Sequence, residues 1–205
     1  MKKIVLVLVF SLCALCARGS YADDTLYPFA DCPTYGEPGF ENTNQHGVSL
    51  WTGEWYGTGD SRSYLKFDLS SVSSVGSASL GLYKSLFFYD EPSVVNSYVT
   101  SDDWTETGLT YANQPELGAA GGSCTVGVDT GWYFWDVTSL AQASAGGMFA
   151  LALASGDLGQ AYDAREVQGH SPYLYVKTSV VPEPISTILF ISGGAVLAAR
   201  RLRRK

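Results

Sequence analysis

Apolar and polar residues alternate along most of this chain in short runs, and the 3.6-residue helical spacing is almost absent. Across 61–69, Leu65, Phe67 and Leu69 fall on one side while Tyr64, Lys66 and Asp68 fall on the other. A period of two is that of a half-buried strand, which places the leucine and phenylalanine set inward. The stretch 77–88 repeats the pattern with Ala78, Leu80 and Leu82, and 94–100 supplies another strand. Residues 149–154 read as a buried strand and 173–177 as the last one. A first strand is expected over 25–30, a Pro/Gly/Asn-rich loop over 32–47, a short strand over 48–51 and a loop over 52–60. Residues 101–122 read mostly as loop, with a short strand at 109–111. The pattern predicts a hairpin between 125–128 and 132–137, turning on Asp129-Thr130-Gly131, with Tyr133, Trp135 and Val137 inward. Residues 138–143 read as a helical turn or two. Short strands about ten residues apart predict an all-β, antiparallel, jelly-roll-like sandwich in a single domain.

The two ends break this pattern. Lys2 and Lys3 precede the apolar run 4–17, and Ser20-Tyr21-Ala22 offers small residues where a signal peptidase reads. That is the layout of a secretory leader, residues 1–22, with cleavage between Ala22 and Asp23 and a weaker alternative after Ala17. Leu12 and Leu15 directly precede Cys13 and Cys16, so the small residue required for lipidation is missing. At the other end, 185–199 contains no charge, and five of the last six residues, 200–205, are cationic. A helix of that apolar length reaches roughly 22 Å, short of the ~30 Å hydrocarbon core, with long basic side chains extending its end. The basic end is expected on the cytoplasmic side, with the intervening domain outside.

Between the ends, residues 23–180 hold only Arg62, Lys66, Lys84, Arg165 and Lys177 as strong cations, against 19 of the chain's 20 acids, a net charge of −14. Such a surface excludes nucleic acid as a partner and disfavours polyanions; it favours neutral sugars and divalent cations. Structural calcium is compatible with Asp23, Asp24, Asp102, Asp103 or Asp157, but no spacing singles out a metal ligand. Cys32 and Cys124 are the two cysteines of the domain, an even count that permits one disulfide in an exported chain. His46 and His170 are the only histidines and read as solvated loop residues. No acid and base pair stands out among the carboxylates, so the domain is expected to be non-enzymatic. Aromatic rings are the better lead, since their faces stack on apolar faces of ligands. Trp51, Trp55 and Tyr56, grouped about a Gly-rich loop, are the candidate platform. Arg165, between Asp163 and Glu166, suits either a structural carboxylate or an acidic sugar.

Two resemblances add to this reading. Pro182-Glu183-Pro184, the apolar span and the terminal arginine cluster resemble the PEP-CTERM sorting tail of Gram-negative bacteria, here 181–205. The resemblance implies recognition by an exosortase, transient anchoring in the inner membrane, and delivery to the cell surface or extracellular matrix. The segment Arg62-Ser63-Tyr64-Leu65-Lys66-Phe67-Asp68-Leu69-Ser70 resembles the "RsYLrFDLS" strand of DNRLRE domains. Ser101-Asp102-Asp103-Trp104-Thr105-Glu106, WYFWDVTSL at 132–140, FALALAS at 149–155 and Asp163-Ala164-Arg165-Glu166 follow in that family's order. This similarity implies an extracellular β-sandwich over 23–180, related to carbohydrate-binding module family 96, with Trp104 structural. The expected function is an exported, non-enzymatic surface or matrix protein contacting exopolysaccharide. A purely structural or protein-binding envelope module and a small polysaccharide-active enzyme are the alternatives.

Overall fold

The computed structural model describes residues 23–47, 49–54, 59–85 and 91–178, all within one compact unit, Ala22–Ser179. The expected leader and sorting tail lie outside the described residues, as do Trp55 and Tyr56. Among the described residues, no helix is long and apolar enough to cross a membrane.

Among the described residues, eleven strands form two sheets, and every ladder is antiparallel. The strands are β1 (Asp23–Leu26), β2 (Ala30–Tyr35), β3 (Ser49–Glu54), β4 (Asp60–Asp68), β5 (Val75–Lys84), β6 (Ser93–Val99), β7 (Ala120–Val126), β8 (Gly131–Asp136), β9 (Met148–Ala154), β10 (Gln160–Asp163) and β11 (Tyr173–Thr178). The four-stranded sheet runs β1-β11-β5-β8. The seven-stranded sheet runs β10-β3-β4-β9-β6-β7, with β2 also paired to β4. One short helix, α1 (Thr138–Ala143), links β8 to β9.

The alternation places the core as expected. Leu65, Phe67 and Leu69 meet Phe149, Leu151 and Leu153 on the inner face of one sheet, and Ala78, Leu80, Leu82, Leu174 and Val176 face them from the other. Trp135 is fully buried between the sheets, and its Nε1 donates across the gap to the carbonyl of Val95 at 2.9 Å. That bond satisfies the one polar atom of the largest core side chain.

The reading of β4 needs correction on its other side. Tyr64 and Lys66 are buried, because the segment 101–118 lies over the outside of the seven-stranded sheet. There Tyr64, Cys32, Ala30 and Ala152 pack against Trp104, Leu109 and Leu117 as a second apolar cluster. Polar tethers hold the segment down. Lys66 Nζ donates to the carbonyls of Asp102 (2.7 Å) and Trp104, and Asn44 Nδ2 donates to those of Glu106 and Leu109, both at 2.7 Å.

Other differences have local causes. The predicted first strand divides at Pro28, and β2 continues through Pro33 to Tyr35 where a loop was expected; β2 pairs only with β4, and an edge strand tolerates proline. The predicted hairpin does not form: β7 pairs with β6, whereas β8 pairs with β5 in the other sheet. Val126 and Trp135 both enter the interior, and burial from opposite sheets overrides the nearness of the two strands in sequence. Residues 111–113 form a single 3-10 turn in place of a strand, and β10 is a short strand that ends at Asp163. The disulfide is also absent. Cys32 and Cys124 are free thiols. Cys32 lies in the outer cluster and Cys124 packs against the main core, so the two face opposite sides of one sheet and cannot bridge. Burial pushes the Cys32 thiol up to about 12, which makes it inert.

Candidate functional site

The outward side of the four-stranded sheet is lined with rings. An ordinary antiparallel sheet shows polar residues there. The register instead aligns Tyr173 of β11 with Gly81 of β5 and Phe134 of β8, and Tyr83 with Trp132 one step further along. Thr25, Tyr175, Ser79 and Asp136 form the row on the other side. Successive outward rows are ~7 Å apart. Tyr27, just beyond β1, is 64 % exposed and Phe134 is 49 % exposed.

The rings touch one another. Trp132 and Tyr173 have centroids 4.9 Å apart, Tyr83 and Trp132 5.5 Å, and Phe134 and Tyr173 6.4 Å. Gly81 explains how they lie. A Cβ built there would come within 3.0 Å of Tyr173 Cζ and 3.1 Å of Phe134 Cε1, so both rings reach over the sheet at a position that has no side chain. The result is a shallow trough of about 390 Å³ lined by Thr25, Tyr27, Ser79, Phe134, Tyr173 and Tyr175. Its edges carry Tyr175, whose hydroxyl donates to Asp23 at 2.7 Å, and Lys177, whose ammonium lies 5.8 Å from the Tyr175 ring.

His170 closes one end. Its imidazole stacks on Tyr83 with centroids 3.7 Å apart and planes 14° from parallel, and it meets Trp132 edge-on at 6.4 Å. Nδ1 lies 2.8 Å from Asp163 Oδ2, and Asp163 also accepts from Ser85 Oγ. The positive φ of Gly169, 87°, gives the tight turn that presents the ring. The solvated loop histidine expected from sequence is therefore an ordered member of the aromatic face.

Of the ligand-contacting residues nominated from sequence, the two that are described, Trp51 and Arg165, lie elsewhere. Trp51 is half-buried on β3 beside a cavity of about 140 Å³, lined also by Tyr35, Glu37 and Ser61, with Tyr35 edge-on at 6.4 Å. Arg165 lies at a carboxylate cluster. Its Nε and Nη2 donate to Glu106 at 2.8 and 2.7 Å, its Nε is 3.0 Å from Glu166, and its backbone N–H donates to Asp31 at 2.8 Å. Asp31, Glu106 and Glu166 converge closely enough to hold a metal ion, but Arg165 already supplies the positive charge among them. The structural pairing of Arg165 accounts for its contacts. Trp104, read as structural, is buried.

Burial pushes the Asp31 carboxyl up to about 7; the Arg165 N–H opposes the shift, and Glu166 and Glu106 reinforce it. Burial also acts to raise Glu106, but hydrogen bonds from Arg165 and the Asp31 N–H outweigh it and hold that carboxyl below its usual range. Because the folded value of Asp31 exceeds the unfolded one, its stabilising contribution is complete below about pH 4 and is lost as pH rises through 7. Asp31→Asn should remove that dependence, gaining about 1–3 kcal/mol on the wild type between pH 4 and pH 8. Urea unfolding at both pH values reads the effect, and parallel shifts at the two would refute it.

The sequence model for carbohydrate-binding module family 96 matches residues 39–178, more than half of the chain. The chain belongs to carbohydrate-binding module family 96. The match takes in β3 to β11, and with them every ring of the outward face except Tyr27. No curated protein matches the chain. Among solved structures, the module is similar to CBM35 from Cellvibrio japonicus Abf62, at 8% identity and a TM-score of 0.34, covering 75% of this chain and 92% of that one. It is also similar to the K1 cleaved adhesin domain of Lys-gingipain from Porphyromonas gingivalis W83, at 14% identity and a TM-score of 0.32, covering 79% and 100%. TM-scores this low establish neither a common fold nor a shared ligand.

Proposed function

We propose that this chain is an exported, non-catalytic carbohydrate-binding protein whose ligand, an extracellular polysaccharide, lies along the outward face of β1, β11, β5 and β8. The observation that carries the reading is the row of touching rings reaching over Gly81 on an otherwise polar sheet face. Exposed apolar faces of this kind are uncommon on proteins without a partner, and flat rings match the C–H faces of pyranoses. Family membership supplies the ligand class.

Export and sorting rest on the two ends of the sequence. The leader would direct the chain through the inner membrane, and the Pro182-Glu183-Pro184 tail would hold it there for an exosortase before release to the surface or matrix. Two measurements test the reading together. Full-length protein is expected to be retained on an exopolysaccharide gel, and cell fractionation should find it outside the cytoplasm with both ends processed. Unprocessed precursor in the cytoplasm would end the export proposal, and free migration through every polysaccharide tried would end the binding one.

A further inference from the structure

We propose that the aromatic face takes an uncharged polysaccharide, and that His170, oriented by Asp163, supplies the hydrogen bond that seats one sugar ring against Trp132. The proposal rests on the reading of that face as a glycan site, and names its ligand class and its polar determinant. Stacking alone discriminates poorly between sugars, because every pyranose has an apolar face; selection requires a polar group fixed beside the ring.

His170 has the features such a group needs. Its 3.7 Å stack on Tyr83 fixes the plane of the imidazole, and the 2.8 Å contact from Nδ1 to Asp163 fixes its rotation. A carboxylate accepts, so Nδ1 carries the proton, and Nε2 of the neutral ring is an acceptor. No hydrogen bond engages Nε2 among the described residues, and the side chain is 40 % exposed beside Trp132. A ring nitrogen held in this way meets a sugar hydroxyl with little rotamer entropy left to lose. Asp163 is 7 % exposed and Ser85 donates to it, so the orienting group is itself held. Asp163 is a positioning residue.

Charge sets the ligand class. Asp163 and His170 stand at one end of the face; towards the other, Asp136 ends the row of Thr25, Tyr175 and Ser79, and Asp23 and Lys177 pair in the next row beyond it. Lys177 is the only strong cation among these groups, and uronate carboxylates call for arginine or lysine partners. A polyuronate would bring a row of negative charges against three aspartates.

The test is affinity electrophoresis of full-length protein in mild detergent, with neutral polysaccharides (β-glucan, xylan, galactomannan) and with polygalacturonate in the gel. At least one neutral polymer should retard the wild type, and polygalacturonate should not. His170→Phe keeps a ring over Tyr83 and removes both nitrogens; it is expected to weaken binding about three- to tenfold, the effect of one hydrogen bond. His170→Gln should recover part of the loss, Asp163→Ala should mimic His170→Phe, and Asp163→Asn, which keeps an acceptor, should bind more tightly than Asp163→Ala. Melting temperatures of each variant separate unfolding from lost contact. Retention by polygalacturonate that Trp132→Ala abolishes would keep the site and overturn the ligand class. Neutral binding that Trp132→Ala weakens but His170→Phe leaves unchanged would overturn the role of His170. Binding indifferent to Trp132→Ala, or absent on every polymer, would remove the site itself and this inference with it.

Discussion

Trp132→Ala combined with Tyr173→Ala is expected to abolish retention on polysaccharide while leaving the module folded. The two rings sit at the centre of the outward face, 4.9 Å apart, and every other ring of the group touches or flanks one of them. An anchoring aromatic at a binding surface is worth about 2 kcal/mol, roughly thirtyfold in affinity. Losing both takes a micromolar interaction to about millimolar, below what a gel detects. Stability should change little, because both side chains are only partly buried and neither belongs to the main core. Gly81 offers a converse test on the same surface. Gly81→Val would place atoms where Tyr173 and Phe134 now lie, lift the rings and reduce binding without deleting any of them. Retained binding in the double variant, with an unchanged melting temperature, would show that sugar does not lie on this face.

The strands were legible in the sequence because alternation is a local property. Leu65-Phe67-Leu69 and Ala78-Leu80-Leu82 point inward as their period requires. The outward face was not legible, because its rings come from four places far apart in the chain: Tyr27, Tyr83, Trp132 with Phe134, and Tyr173 with Tyr175. Only the pairing register places Tyr173 opposite Gly81 and Gly81 opposite Phe134. Nearness in sequence instead favoured Trp51, Trp55 and Tyr56; of these the described residues include only Trp51, beside its own small cavity. A signal was nonetheless present. Tyr83, Trp132, Phe134, Tyr173 and Tyr175 all occupy positions where alternation calls for polar residues, and a rule broken in three strands at once marks a working surface. Tyr64 and Lys66 broke expectation differently, since no local pattern announces that a loop forty residues away will cover them.

Trp104→Ala should have the largest effect on stability outside the main core. The indole packs edge-on against Tyr64 with centroids 6.0 Å apart, lies 4.4 Å from the Lys66 ammonium and belongs to the cluster that holds 101–118 on the seven-stranded sheet. Removing a buried tryptophan costs about 3–5 kcal/mol through lost transfer energy and an unfilled cavity. For a domain of this size that lowers the melting temperature by roughly 10 °C. Lys66 would suffer as well. Burial already lowers its pKa, and without the indole its ammonium keeps the carbonyls of residues 102 and 104 and the more distant Phe29 ring, 5.9 Å away. Trp104→Phe should be much milder, because Nε1 has no hydrogen-bond partner to lose and most of the cluster stays filled. The aromatic face belongs to the other sheet, so Trp104→Ala protein kept below its melting temperature should bind polysaccharide as the wild type does. A loss under about 1 kcal/mol would mean that the segment is not packed as described, and a loss of binding at full folding would mean that the two sheets do not act independently.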